Sequence, residues 1–330
     1  MPLQSQFYRK TVETLAVYRE LVVVMVPIAV VTQALAELGV IKAASPWLAP
    51  AMTLFGLPPE LALAWLTGLL VGMWGGVVVL FTLIPTLALS SADMTVFCSL
   101  LLMAHAIPVE QRIVAKAGPN VWTTSIVRIA GAMVFAALLH LLFSATGWLS
   151  QPIAPVWQPG AGEGGWLGFA YGTAKTLLVM LAVLLALSWV MELLRAAGIL
   201  DVLYKGLAPL FRLVGLRPEA LPFTTVGLLL GISYGSGLML AEVRRQPIEP
   251  RQIFLASVFM GFAHSLIEDT LVVVALGADL TTVLFGRLVF AIVATAAVAF
   301  VLERISSVPV VQGDSASRSW LHRRESAPDR

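Results

Sequence analysis

"LAPAMTLFGLPPELALAWLTGLLVGMWGG" (48–76) and "LAPLFRLVGLRPEALPFTTVGLLLGISYG" (207–235) align without a gap, sharing Leu-Ala-Pro, Gly-Leu-x-Pro-Glu and the glycines beyond. The offset is 159 residues, and it persists downstream. His105 falls on His264, Glu110 on Asp269, Gly118 on Gly277 and Arg128 on Arg287. A register held over about a hundred positions marks an internal duplication.

Composition says what was duplicated. Of 330 residues, 58% are hydrophobic and only 12% charged, with a mean hydropathy of +0.89. A soluble chain carries roughly twice that share of charge. Apolar runs long enough to cross a hydrocarbon core recur throughout. The expected fold is an all-α polytopic membrane protein. The single cysteine, Cys98, excludes an internal disulfide framework and any multi-cysteine metal site. The first twenty residues are too polar for a signal peptide, so the first apolar run is expected to be retained.

Charge placement sets the topology. Lys and Arg gather before residue 20, at 112–116, over 195–251 and in the tail; none lies between Lys42 and Arg112 or between Arg128 and Lys175. Basic loops stay on the cytoplasmic side. The N-terminus, 108–120, 195–251 and the tail are therefore expected inside, with 43–60 and 145–174 outside. The two halves then begin on opposite sides of the membrane, the inverted-topology repeat common in secondary transporters.

A spanning helix over 219–243 would export Arg244, Arg245 and Arg251. A re-entrant hairpin turning at "GISYGSG" (231–237) keeps them inside, and 60–89 with "GMWGG" (72–76) is its mate. The expectation is six spans, at about 20–41, 93–116, 120–145, 174–197, 252–276 and 280–303, plus two Gly-rich hairpins. The corresponding units are a cytoplasmic N-terminus (1–19), one half (20–145), an external Trp- and Gly-rich loop (146–173), a second half (174–304) and a basic cytoplasmic tail (305–330).

Polar residues inside the spans mark candidate function. "HSLIEDT" (264–270) interrupts an apolar stretch with His264, Ser265, Glu268, Asp269 and Thr270. On a continuous helix His264 and Glu268 would share one face. Asp269 lies eight residues before the turn at Gly277 and Arg287 ten after it, and Glu110 and Arg128 stand likewise about Gly118. An intramembrane charge is costly unless paired, so Glu110–Arg128 and Asp269–Arg287 are expected as structural ion pairs.

Val109 occupies the slot of Glu268, which makes Glu268 the surplus acid. With His264 nearby and His105 at the repeat-related position, it is the leading candidate for substrate binding or proton coupling. Histidine titrates near neutrality, and burial raises a carboxylate's pKa. Ser233, Tyr234 and Ser236 at the hairpin tip offer hydroxyls to a polar solute. Two histidines and an acid, without cysteines, do not define a metal site, so neither metal nor cofactor is assigned. A short His105–His264 distance would support a shared site, and separation beyond about 12 Å would dissolve the metal reading. Trp148, Trp157 and Trp166 read as interfacial anchors.

"GISYGSGLML" followed by "FMGFAHSLIEDTLVVVALGADL" resembles the nucleoside-recognition (Gate) family of bacterial membrane proteins. Relatives include spore maturation proteins A and B and the Gate regions of ferrous-iron and concentrative nucleoside transporters. The resemblance covers about 219–300 most firmly, and the repeat extends it over most of the chain. It implies a multi-pass inner-membrane protein related to transporters; separately, an intramembrane enzyme is the least expected reading of the residues. No GTPase domain of the iron-transporter kind accompanies it, so transport is expected to draw on another energy source. The first half departs from the signature, with "HAIPVEQ" (105–111) standing for "HSLIEDT".

The function expected is a secondary transporter or permease for a small polar solute, nucleoside-like by resemblance. A non-transporting subunit of a membrane complex and a divalent-metal permease are the alternatives. Expected partners are the lipid bilayer, the solute, and a second copy or another membrane protein; a nucleic-acid polymer is not among them.

Overall fold

The computed structural model describes residues 37–84, 87–153, 165–198, 213–245 and 247–304, with isolated residues within 8–34 and 206–211. Every regular element among them is helical. Helix α1 (Val40–Thr53) leads to the pair α2 (Leu61–Val71) and α3 (Met73–Leu83), which reverse at Gly72. The two helices touch backbone to backbone. A Cβ on Gly76 would meet the Ala64 carbonyl oxygen at 2.9 Å and the Gly68 Cα at 3.1 Å. Small residues at such crossings let helices approach where no water drives them together.

A capping box of Ser90 and Asp93 starts α4 (Ser91–Met103), with the Ser90 amide 2.9 Å from the Asp93 carboxylate. The chain unwinds at 104–106 and resumes as α5 (Ile107–Lys116), with Pro108 in its first turn. Asn120 caps α6 (Val121–Thr146). Helix α7 (Gly165–Ala196) follows, then the second helical pair, α8 (Leu221–Leu230) and α9 (Ile232–Arg245), turning at Gly231. Next come α10 (Pro250–Ala263), a second unwound stretch, and α11 (Glu268–Ala275). A π-turn (Thr281–Gly286) leads into α12 (Arg287–Arg304).

Four stretches among the described residues are long and apolar enough to cross a bilayer: 91–116, 121–146, 250–275 and 281–304. The chain is an all-α polytopic membrane protein. Two of these stretches depart from expectation. The spans predicted at 93–116 and 252–276 are each interrupted, because Ala106 (φ 48°) and Ser265 (φ 47°) take left-handed backbone that no helix can contain. The span predicted at 174–197 belongs to α7, which already begins at Gly165, inside the stretch assigned to the outer loop. The first predicted span (20–41), Trp157 and the tail (305–330) lie largely or wholly outside the described residues.

The interrupted spans form the interior, and α6 and α12 wrap them. Ile126, Val134, Leu138 and Leu141 of α6 and Val289, Val293 and Phe300 of α12 face outward, an apolar surface suited to lipid tails. The halves interlock where Gly131 of α6 receives the Phe262 ring of α10. A methyl there would collide with the ring. Gly131→Ala is therefore expected to destabilise the folded protein by about 1–3 kcal/mol, the usual cost of overpacking. A thermal unfolding midpoint in detergent equal to that of the parent would refute the contact.

Backbone features recur at the 159-residue offset. Left-handed φ values pair as Gly39 with Gly198 (72° and 70°), Gly56 with Gly215 (66° and 76°), and Ala106 with Ser265. Gly72 with Gly231 and Gly118 with Gly277 do the same. The two breaks thus occupy equivalent positions and meet in the middle of the protein.

Candidate functional site

A break in a buried helix frees amides and carbonyls that water cannot reach, and each needs a partner. The amide of Ala106 finds the Gly68 carbonyl of α2 at 3.0 Å; that of Leu266 finds the Leu228 carbonyl of α8 at 2.9 Å. The carbonyls are taken by arginines. Arg128 donates through Nε to Met103 O (2.7 Å) and through Nη2 to His105 O (3.2 Å). Arg287 repeats this with Phe262 O (2.7 Å) and His264 O (2.6 Å). Both side chains are almost wholly buried, at 2% and 0% exposure.

The ion pairs are consequently unequal. Arg128 Nη1 binds Glu110 Oε2 at 2.7 Å. The expected Asp269–Arg287 pair is not made: Arg287 bonds two carbonyls as Arg128 does, but its Nη1 has no hydrogen-bond partner among the described residues. Unwinding at 264–267 also reorients α11, so that Asp269 Oδ2 lies 3.8 Å from His105 Nε2 instead.

The histidines come together across the halves, with Nε2 atoms 3.3 Å apart and ring centroids at 4.8 Å. His264 is fully buried and His105 nearly so. His264 Nε2 also lies 3.2 Å from Arg128 Nη2 and 3.5 Å from Glu110 Oε2. Ser233, an exposed residue just past the turn of the second hairpin, donates to Glu110 Oε1 at 3.0 Å. It links the surface to the buried cluster.

Of the residues singled out from sequence, His105, His264, Asp269, Glu110, Arg128 and Ser233 gather here. Glu268 opens α11, half-buried, but the break removes the shared helix face expected for it and His264. Ser236 is half-buried on α9, and no hydrogen bond joins it to the cluster; the side chain of Tyr234 lies outside the described residues. Sequence reasoning missed the breaks and the arginine caps. Pro108, one turn past His105 in a supposed span, was the available signal for the first break; the second half has no such residue.

Interrupted spans with ionisable groups at the break define a class: membrane proteins whose irregular backbone is covered by the protein itself. Residues 177–280, which carry the second hairpin and the His264 break, match the Gate family, described as nucleoside recognition. The match covers less than half of the chain, and the family it points to is associated with transporters. It is also 28% identical over 254 residues, 76% of this chain and 80% of the relative, to YvoD of Bacillus subtilis (strain 168), an uncharacterized membrane protein. No solved structure matches.

Proposed function

We propose that the protein is a secondary transporter or permease for a small polar solute, working from the bacterial inner membrane with both termini cytoplasmic. One observation carries the reading. Two interrupted spans from repeated halves place their breaks against each other, and a hairpin caps each break. Inverted-repeat transporters place substrate and coupling ions at such crossings of broken helices. Ser233 supports it by linking an exposed hairpin position to buried Glu110. The nucleoside-recognition match makes nucleosides and nucleobases the first solutes to try.

Purified protein reconstituted in proteoliposomes should take up a labelled nucleoside or nucleobase saturably. Asp269→Asn, which keeps the side-chain shape and removes the charge facing His105, should cut the rate at least tenfold. No saturable uptake of any such solute by correctly folded protein would sink the reading and favour a subunit of a larger complex. Unchanged uptake in the variant would remove Asp269 from the site.

A further inference from the structure

Each imidazole faces a backbone carbonyl through Nδ1, His105 with Leu101 O at 2.9 Å and His264 with Met260 O at 3.0 Å. A carbonyl only accepts, so each Nδ1 carries the proton and each neutral ring turns an Nε2 lone pair inward. Those lone pairs confront one another at 3.3 Å. Two acceptors at that separation repel; Arg128 Nη2 donates to His264 Nε2 at 3.2 Å, which leaves the His105 lone pair without a donor among the described residues. Asp269 supplies a third electron pair. Its side chain is about nine-tenths buried, and its Oδ2 has no hydrogen-bond partner among the described residues. One donor atom from each of the three residues falls within a sphere where all lie within 4.8 Å of one another.

We propose that this is a binding site for a divalent transition-metal ion of the zinc or cobalt kind. The ion is held between the two halves by Nε2 of His105, Nε2 of His264 and a carboxylate oxygen of Asp269. Donor atoms on a tetrahedral ion with bonds of about 2.0–2.1 Å stand about 3.3–3.4 Å apart. The Nε2–Nε2 separation has that value, and the wider ones, 3.8 Å from His105 to Asp269 and up to 4.8 Å across the trio, close as the Asp269 side chain swings inward.

Glu110 Oε2, 3.5 Å from His264 Nε2, stands beside the fourth position. The Nδ1–carbonyl bonds are the outer contacts that orient metal-binding histidines. Two imidazoles and carboxylates suit a borderline transition ion; magnesium and calcium take six or more oxygens. Arg128 yields its 3.2 Å contact with His264 and keeps Met103 O, His105 O and Glu110.

This inference does not depend on transport and is tested without it. Full-length protein in detergent micelles, stripped with chelator, is titrated with Co²⁺ and followed by its visible ligand-field absorption. One Co²⁺ per chain with the intense bands of a tetrahedral site, displaced by Zn²⁺, is expected. His105→Gln and His264→Gln should each abolish the bands, and Asp269→Asn should weaken binding by at least about tenfold, within the range seen when metal-site contacts are lost. His140→Ala, outside the cluster, should leave the titration unchanged. Monodisperse elution of each variant guards against unfolding. A monodisperse parent protein that takes up no stoichiometric Co²⁺ overturns the site and leaves a proton shared by the imidazoles as the cation. So does a Co²⁺ spectrum that survives in the double histidine variant.

Discussion

Arg128→Met is expected to leave little folded protein, whereas Arg287→Met should give a folded but weakened one. Both arginines cap two carbonyls of a break, and stranding a buried acceptor costs about 1–3 kcal/mol each. Removing Arg287 also removes a buried guanidinium whose Nη1 has no hydrogen-bond partner among the described residues, which offsets part of that loss. A net destabilisation of about 2–4 kcal/mol follows. Removing Arg128 adds a penalty, because Glu110 is left as a buried carboxylate without its 2.7 Å partner. Breaking one side of such a pair costs about 3–5 kcal/mol more.

The order of the two effects is the test, read as the fraction of monodisperse protein and its thermal midpoint in detergent. Arg128→Met/Glu110→Gln should recover part of the loss, since the stranded charge is gone. Equal losses at the two arginines would mean that carbonyl capping is their whole contribution.

Gly231→Ala is expected to lower the thermal midpoint by more than Gly118→Ala. Both glycines have positive φ, 80° and 131°, where a residue with a Cβ is strained by about 1–3 kcal/mol. Around Gly118 there is open space, whereas a methyl on Gly231 runs into the Ser265 hydroxyl. That collision adds about 1–3 kcal/mol and pushes the second hairpin away from the break it caps. Ser265→Gly should rescue Gly231→Ala, because it removes the hydroxyl and relaxes a residue held at φ 47°. If the two alanine variants melt alike and the double variant gains nothing, the hairpin turn does not bear on the break.

The sequence carried the architecture further than the site. Hydropathy located the spans at 121–146 and 281–304 within a residue or so, since their apolar faces meet lipid directly. The glycines at 72 and 231 marked the reversals of the helical pairs because little else tolerates such backbone. Pairing rules failed where the chain departs from regular helix. Counting Asp269 and Arg287 from Gly277 presumes regular α-helix on both sides; with Thr281–Gly286 wound as a π-helix, the count gives depth and not direction. The meeting of His105 and His264 could not be computed from one sequence either, since a repeat fixes equivalence between positions and not their distance. Glu268 drew attention as the surplus acid, yet the carboxylates at the histidines come from its neighbour Asp269 and from Glu110.

The carbonyls of Gly68 and Leu228 seat the two hairpins on the free amides of Ala106 and Leu266. Each hairpin is thereby a stopper whose withdrawal uncovers a bare amide in a dry interior. The two stoppers sit on separate breaks, and lifting both at once would strand two buried amides instead of one.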